Sequence, residues 1–472
     1  MKDKKWGLLI LTSLVVGNMV GSGIFMLPST LAQTASPLGV TFAWIITGIG
    51  VLMIALVFGK LSIRRPDLTA GPQSYARELF DSRSKGKVAG FGMVWGYWIA
   101  NWISNVAIIT SFGGYLSTFF PIMSNPSVLF TVGNQEVELG RLVTFIICTI
   151  LLWGTHFILV TNLNVAGKLN AVATVTKITG FALFIVAALF TFQYSNLGDI
   201  YTPIVDSEGQ EHGLSSQINL AMISTLWAFV GIESAVILSG RAKSQRDVSR
   251  ATIIGLFIAL AIYMGITLLI MGVLPQEVLR DSDKPFVDAL SVMIGDTGAT
   301  VMGLLAVVAL FGSTLGWILL SAEVPYQAAK KGVFPAYFAK VNKKGNPVRS
   351  LTVTNVMSQL FIFSVISGTI SEAYTFLTTS ATLAYLIPYL VSAVFFLKLI
   401  LKGETYGMKN GTRITDGIIA SLALIYSIWV IKSGISDLKT FTLGIGLFIV
   451  GIFIYPLMNK RKLNKQTIDQ NK

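Results

Sequence analysis

Val16-Gly17-Asn18-Met19-Val20-Gly21-Ser22-Gly23-Ile24-Phe25-Met26-Leu27-Pro28 decides how this chain is read. The stretch lies in an apolar segment long enough to enter a bilayer, yet three glycines and a proline interrupt it. In lipid every backbone N–H and C=O needs a partner, so a helix broken at membrane depth is costly. Such a break persists where the freed groups line a cavity and bind something. A broken first helix is one way to hold a small charged solute near the bilayer midplane. The segment predicts a transporter.

Composition agrees. The chain has 472 residues, 53% of them hydrophobic and only 12% charged, against about 25% charged in a soluble domain. Apolar runs of roughly 20 residues qualify as membrane spans. Twelve are read here, centred near Ser22, Val51, Ser104, Thr149, Gly180, Phe229, Tyr263, Val308, Leu360, Tyr385, Leu422 and Leu447. A net charge of +13 would suit nucleic acid, but its placement argues otherwise. With the N-terminus inside, 30 of the 36 Lys and Arg fall in the tails and inner loops, while most acids outside the spans fall in outer loops. By the positive-inside rule both termini are cytoplasmic and the protein is multi-pass, in the plasma membrane, with no nucleic-acid partner. The basic excess sets orientation and meets the lipid bilayer. Cys148 is the single cysteine and His156 and His212 the two histidines, so neither a disulfide nor a metal cluster is expected. No nucleophile elbow, zinc motif or Walker loop is present, so no enzyme activity and no cofactor is expected, and the energy must come from gradients.

Span six carries a second interruption, Trp227-Ala228-Phe229-Val230-Gly231-Ile232-Glu233-Ser234-Ala235. Five spans separate it from the first, and an odd number of spans inverts the second copy. Two interrupted helices at matching places point to an inverted-repeat transporter. The chain is then one transmembrane domain over 1–472, with repeat one at 1–195, repeat two at 215–400 and spans 11 and 12 at 411–458. Where the first helix unwinds at Gly21-Ser22-Gly23, free N–H groups suit a carboxylate. The carbonyls of Met19 and Val20 suit an ammonium, so one break offers both poles to an amino acid. A plain packing face through Gly17 and Gly21 is the alternative.

Glu233 and Lys177 are ionisable groups inside spans, where such residues are costly and serve function by default. Glu233 is a candidate proton carrier, gate partner or cation anchor, against a plainly hydrogen-bonded carboxyl. The Lys177 ammonium is a candidate to tie helices through their carbonyls in place of a sodium ion, or to shuttle protons, against a snorkelling lysine. Asn105, Trp227 and Trp317 are candidate lining groups. Small neighbours around Trp317 leave room for a cation on its ring.

At these residues the chain resembles the amino acid–polyamine–organocation superfamily, in particular its basic amino acid/polyamine antiporters. Gly17 to Phe25 is similar to the first-helix signature of that family. Thr225 to Glu233, Ser239 to Lys243 and Ala322 to Lys330 resemble the arginine–ornithine antiporters. The resemblance implies an all-α LeuT-like fold of twelve helices with a 5+5 inverted repeat and discontinuous helices 1 and 6. It also implies that Ser22 and Gly23 take a substrate carboxylate and that the carbonyls of Met19, Trp227 and Val230 take its α-ammonium. Asn105 would contact the solute and Trp317 would stack on its cationic end. Tyr97, Trp227, Glu233 and Tyr389 would form an extracellular-side gate, and Lys177 would occupy a sodium position. Ala228 and Ala381 stand where arginine–agmatine exchangers carry serine.

The implied function is alternating-access exchange of external arginine for internal ornithine. Other cationic pairs, agmatine–putrescine or lysine–cadaverine, and a proton-coupled permease are alternatives within the class. A nutrient sensor or a channel is the alternative outside it. Small cationic amino acids or amines are the implied solutes, and a second copy of the chain is a candidate partner.

Overall fold

The computed structural model describes residues 6–456 except 22, 69–70, 133–134, 206–208, 238, 407–409, 435–441, 443, 445 and 452. The first helices are α1 (Leu8–Met19), α2 (Leu27–Thr34), α3 (Pro37–Arg64), α4 (Pro72–Leu79) and α5 (Arg83–Leu116). Next come α6 (Leu139–Thr161), α7 (Leu163–Thr191), α8 (Leu214–Ala228), α9 (Ser234–Ile237) and α10 (Gln245–Val273). The remainder are α11 (Gln276–Arg280), α12 (Pro285–Ile294), α13 (Asp296–Lys330), α14 (Val348–Ile362), α15 (Ser364–Ser367), α16 (Ile370–Lys402) and α17 (Asn410–Gly434). Among the described residues, eight helical segments are long and apolar enough to cross a membrane. α1 with α2, and α8 with α9, are the interrupted pairs. α5 is 34 residues long and buries Asn101, Ser104, Asn105, Thr110 and Ser111 among its apolar side chains. The all-helical expectation holds for the bundle, to which two short antiparallel hairpins are added. These are β1 (Val128–Val132) with β2 (Gln135–Glu138), and β3 (Ile204–Val205) with β4 (Glu211–His212).

Local chemistry sets the helix limits. Ser36 and Pro37 open α3, since proline at the first turn gives up an N–H that would have no partner there. Thr369 and Glu372 form a reciprocal capping box at the start of α16, and Gly403 ends it in the left-handed conformation. Ser244 accepts the Asp247 N–H at the start of α10.

Both interruptions are real breaks. α1 stops at Met19, and the Gly21 N–H turns back to the Met19 carbonyl at 2.6 Å. A short 3₁₀ turn, Gly23–Phe25, then leads into α2. α8 stops at Ala228, and Phe229, Val230 and Ile232 make tight three-residue turns back to Leu226, Trp227 and Phe229. Gly231 has φ +107°, a conformation that suits glycine. The breaks touch each other, since Asn18 Nδ2 donates to Ser234 Oγ at 2.7 Å.

Contacts between connections define two ends of the bundle. At the near end, the Lys243 N–H donates to the Trp6 carbonyl, Lys398 reaches Leu79 and Asp81, and Asn346 reaches Val160. At the far end, Gln33 Nε2 donates both to the Arg280 carbonyl and to Ser371 Oγ, each at 2.8 Å.

Candidate substrate site

Broken helices leave carbonyls without their usual intrahelical donors, and side chains from four other helices supply them at the first break. Tyr263 of α10 donates its hydroxyl to Met19 O at 2.5 Å. Lys177 of α7 donates to Val20 O at 2.7 Å. Tyr374 of α16 donates to Gly23 O at 3.2 Å, and Tyr115 of α5 to Phe25 O at 2.8 Å. Tyr263 is held by stacking on Trp44 at 5.5 Å. The Met19 and Val20 carbonyls expected to be open to an ammonium thus already have protein donors. A carbonyl has two lone pairs, and at Met19 the Tyr263 hydroxyl and the Gly21 N–H take both. Ser22 lies outside the described residues. The sequence reading passed over the tyrosines, although a tyrosine inside an apolar span signals a hydroxyl that must find a partner.

Glu233 is fully buried just past the second break. It accepts hydrogen bonds from Tyr97 OH at 2.7 Å, Tyr389 OH at 2.8 Å and the Gly231 N–H at 3.2 Å. α5, α16 and the turn after α8 therefore meet on one carboxyl group. Among the described residues, Trp227 Nε1 makes no hydrogen bond to this cluster. Its ring packs edge-on to Tyr374 at 5.7 Å and lies where a Gly23 side chain would stand. Trp227 lies in the last turn of α8 while Glu233 follows the break, so the tryptophan and the carboxyl stand at successive levels along the broken helix. Val230 lies between them, buried, with its N–H on the Trp227 carbonyl at 3.1 Å.

Asn105 of α5 meets α13 at Ser321, one turn beyond Trp317. The Ser321 hydroxyl donates to Trp317 O at 2.7 Å, and its oxygen lies 3.2 Å from Asn105 Oδ1. Trp317 Nε1 stands 3.6 Å from where a Cβ on Gly21 would be, so its ring faces the first break. Glu323 accepts from Gln327 one turn on in α13. Met19, Gly21, Gly23, Trp227, Val230 and Trp317 thus gather around the two breaks. Tyr97, Glu233 and Tyr389 form a separate cluster, and Lys177 bonds to the first break from outside both groups.

A bundle of membrane-length apolar helices, with two broken members joined at their breaks and buried polar groups around them, defines a multi-pass membrane permease. The chain belongs to the amino acid permease family, whose sequence model matches residues 7–455. It is 64% identical over 466 residues to a provisionally named arginine/ornithine antiporter of Bacillus subtilis (strain 168), covering 98% of this chain and 99% of that one. It is 35% identical over 453 residues to an arginine/ornithine antiporter of Pseudomonas aeruginosa, covering 94% and 89%. An arginine/agmatine antiporter of Chlamydia pneumoniae is 34% identical over 473 residues, covering 98% and 92%.

Proposed function

We propose that this protein exchanges external arginine for internal ornithine by alternating access. The observation that carries this reading is the 64% identity, over nearly the whole of both chains, to the Bacillus subtilis relative. The two touching breaks agree with it, since they offer opposite partial charges to a zwitterion. In this reading the chain crosses the plasma membrane twelve times in a LeuT-like arrangement. Residues 1–195 and 215–400 are inverted repeats, 411–458 are appended spans, and both termini are cytoplasmic. The near end of the bundle is then the inner side. The N–H groups at Ser22 and Gly23 hold the substrate carboxylate, and the carbonyls of Trp227 and Val230, with that of Met19 once it releases one of its two donors, hold its α-ammonium. Trp317 stacks on the cationic end. In place of one extracellular-side gate, Trp227 closes the outer side of the solute and Tyr97, Glu233 and Tyr389, toward the near ends of α5 and α16, close the inner side. Lys177 stands where a sodium-coupled carrier would hold its ion.

Arginine and ornithine each carry one net positive charge, so one-for-one exchange moves no charge across the membrane. Liposomes holding the purified protein and loaded with ornithine should take up labelled arginine, empty ones should not, and an imposed potential should leave the rate unchanged. Uptake into empty liposomes at the same rate sinks the exchange reading. A second reading, arginine for agmatine, is favoured by the Chlamydia pneumoniae relative. Agmatine carries one charge more, so that cycle works against about 2.3 kcal/mol per 100 mV, and its rate would follow the potential.

A further inference from the structure

Tyr97, Asn101 and Asn105 stand four residues apart on α5, on one face of the helix and about 6 Å from each other along its axis. The lower end of this ladder touches Glu233 through Tyr97, and the upper end reaches Ser321, one turn beyond Trp317. Asn101 is the middle rung and is fully buried. Its Nδ2 donates to the Tyr97 carbonyl at 2.5 Å. Only the donor end of an amide can face a carbonyl, so the orientation of the side chain is set and the oxygen is the open end. That oxygen has no hydrogen-bond partner among the described residues. Leaving a buried acceptor unmatched costs about 1–3 kcal/mol, so this oxygen is open to a donor that arrives.

Asn105 carries the same lesson. As placed, its Nδ2 is buried without a partner among the described residues. The Ser321 hydroxyl has one proton, and the Trp317 carbonyl holds it at 2.7 Å. Towards Asn105 the serine therefore presents a lone pair, which an amide satisfies by turning its Nδ2 there. Its Oδ1 then becomes the open end. The two amides stand one helical turn apart on the face of α5 that meets Glu233 through Tyr97 below and Ser321 above.

The structure assigns Asn101 as a specificity-determining residue whose side-chain oxygen, with that of Asn105 above it, accepts the N–H groups of the solute's cationic end. This rests on the antiporter reading above. A guanidinium offers five N–H donors and an ammonium three, and neither accepts anything. A pair of neutral acceptors therefore serves both an incoming guanidinium and an outgoing ammonium without adding a charge to either state.

Steady-state exchange in ornithine-loaded liposomes tests this with Asn101→Leu and Asn101→Asp. The leucine variant should raise the arginine KM roughly tenfold or more, as loss of a hydrogen bond to a charged group predicts, with kcat within about twofold. The aspartate variant keeps an acceptor oxygen at the site and adds a negative charge, so it should hold the arginine KM at or below the wild-type value. Norvaline, which has the same α-groups and an apolar tail, should inhibit all three proteins equally. Asn101→Ala replaces the leucine variant if the latter does not fold. Equal losses for arginine and norvaline, a fall in kcat alone, or an aspartate variant as impaired as leucine would each overturn the assignment in favour of helix packing. A wild-type protein that exchanges no cationic amino acid overturns the antiporter reading instead.

Discussion

The Lys177 ammonium, 2.7 Å from the Val20 carbonyl, supplies at residue scale what a broken helix cannot supply for itself. Its position in an apolar span marked it as functional, but the carbonyl it would choose was hidden, because Lys177 and Val20 are 157 residues apart. Tyr263 pairs in the same way with Met19 across 244 residues, and no local pattern announces that contact. Glu233 was legible as a costly intramembrane carboxyl. Its two tyrosine donors, from α5 and α16, were legible only through the family resemblance. Lys177→Ala leaves the Val20 carbonyl without its donor and should cost about 1–3 kcal/mol of stability. Turnover should fall roughly tenfold while arginine KM stays within about threefold, since the lysine touches the break rather than the solute. Thermal melting in detergent and exchange kinetics measure the two effects, and unchanged turnover would make the lysine purely structural.

At the scale of elements, the interruptions of α1–α2 and α8–α9 were readable from glycine and proline alone, because those residues act through their own backbone. What the residues could not reveal is how the two breaks face each other. A side chain on Gly231 would come within 3.1 Å of the Asn18 backbone, and the Gly231 φ of +107° already disfavours one. Gly231→Ala should therefore destabilise by about 1–2 kcal/mol from backbone strain alone and should abolish exchange by separating the breaks. Near-wild-type exchange by that variant would show that their contact is dispensable. The placing of Trp227 on one level and of Tyr97, Glu233 and Tyr389 on another is likewise a property of packed elements. Sequence order places Trp227 and Glu233 close together, but the turn at Phe229–Glu233 sends them to different neighbours.

Over the whole molecule, the two ends of the bundle are tied differently. At the near end, Asp416 of α17 meets Lys60 at 2.8 Å and Arg64 at 2.6 Å, with the Tyr406 hydroxyl at 2.8 Å. At the far end, Asp283 accepts the Ser371 N–H at 3.0 Å and joins the α11–α12 connection to the start of α16. Burial pushes the Asp283 carboxyl from the ordinary 3.8 up to about 6, against the lowering effect of the Ser371 N–H, with Asp288, Lys284 and Glu372 nearby. A carboxyl raised on folding keeps a proton that the unfolded chain has released. Stability is therefore lost as pH rises from about 4 to about 6 and stays lost above. Asp283→Asn still accepts the Ser371 N–H but has no proton to release. It should melt higher than wild type above pH 6 and show a flatter pH profile in that window; parallel profiles for the two proteins would refute this.

Read alone, the sequence determined that the chain is a many-span membrane protein, that its helices break around Gly21 and Gly231, and that Glu233 and Lys177 are ionisable groups set in apolar stretches. Each follows from the cost of placing a charge or an unpaired peptide group in hydrocarbon, a cost the residue bears wherever its neighbours are. Tertiary structure alone decided who meets that cost. Tyr263 and Lys177 serve the first break, Tyr97 and Tyr389 serve Glu233, and Trp227 covers Gly23. Partners more than a hundred residues apart are chosen by how helices pack, and packing is a property of the whole bundle rather than of any stretch within it.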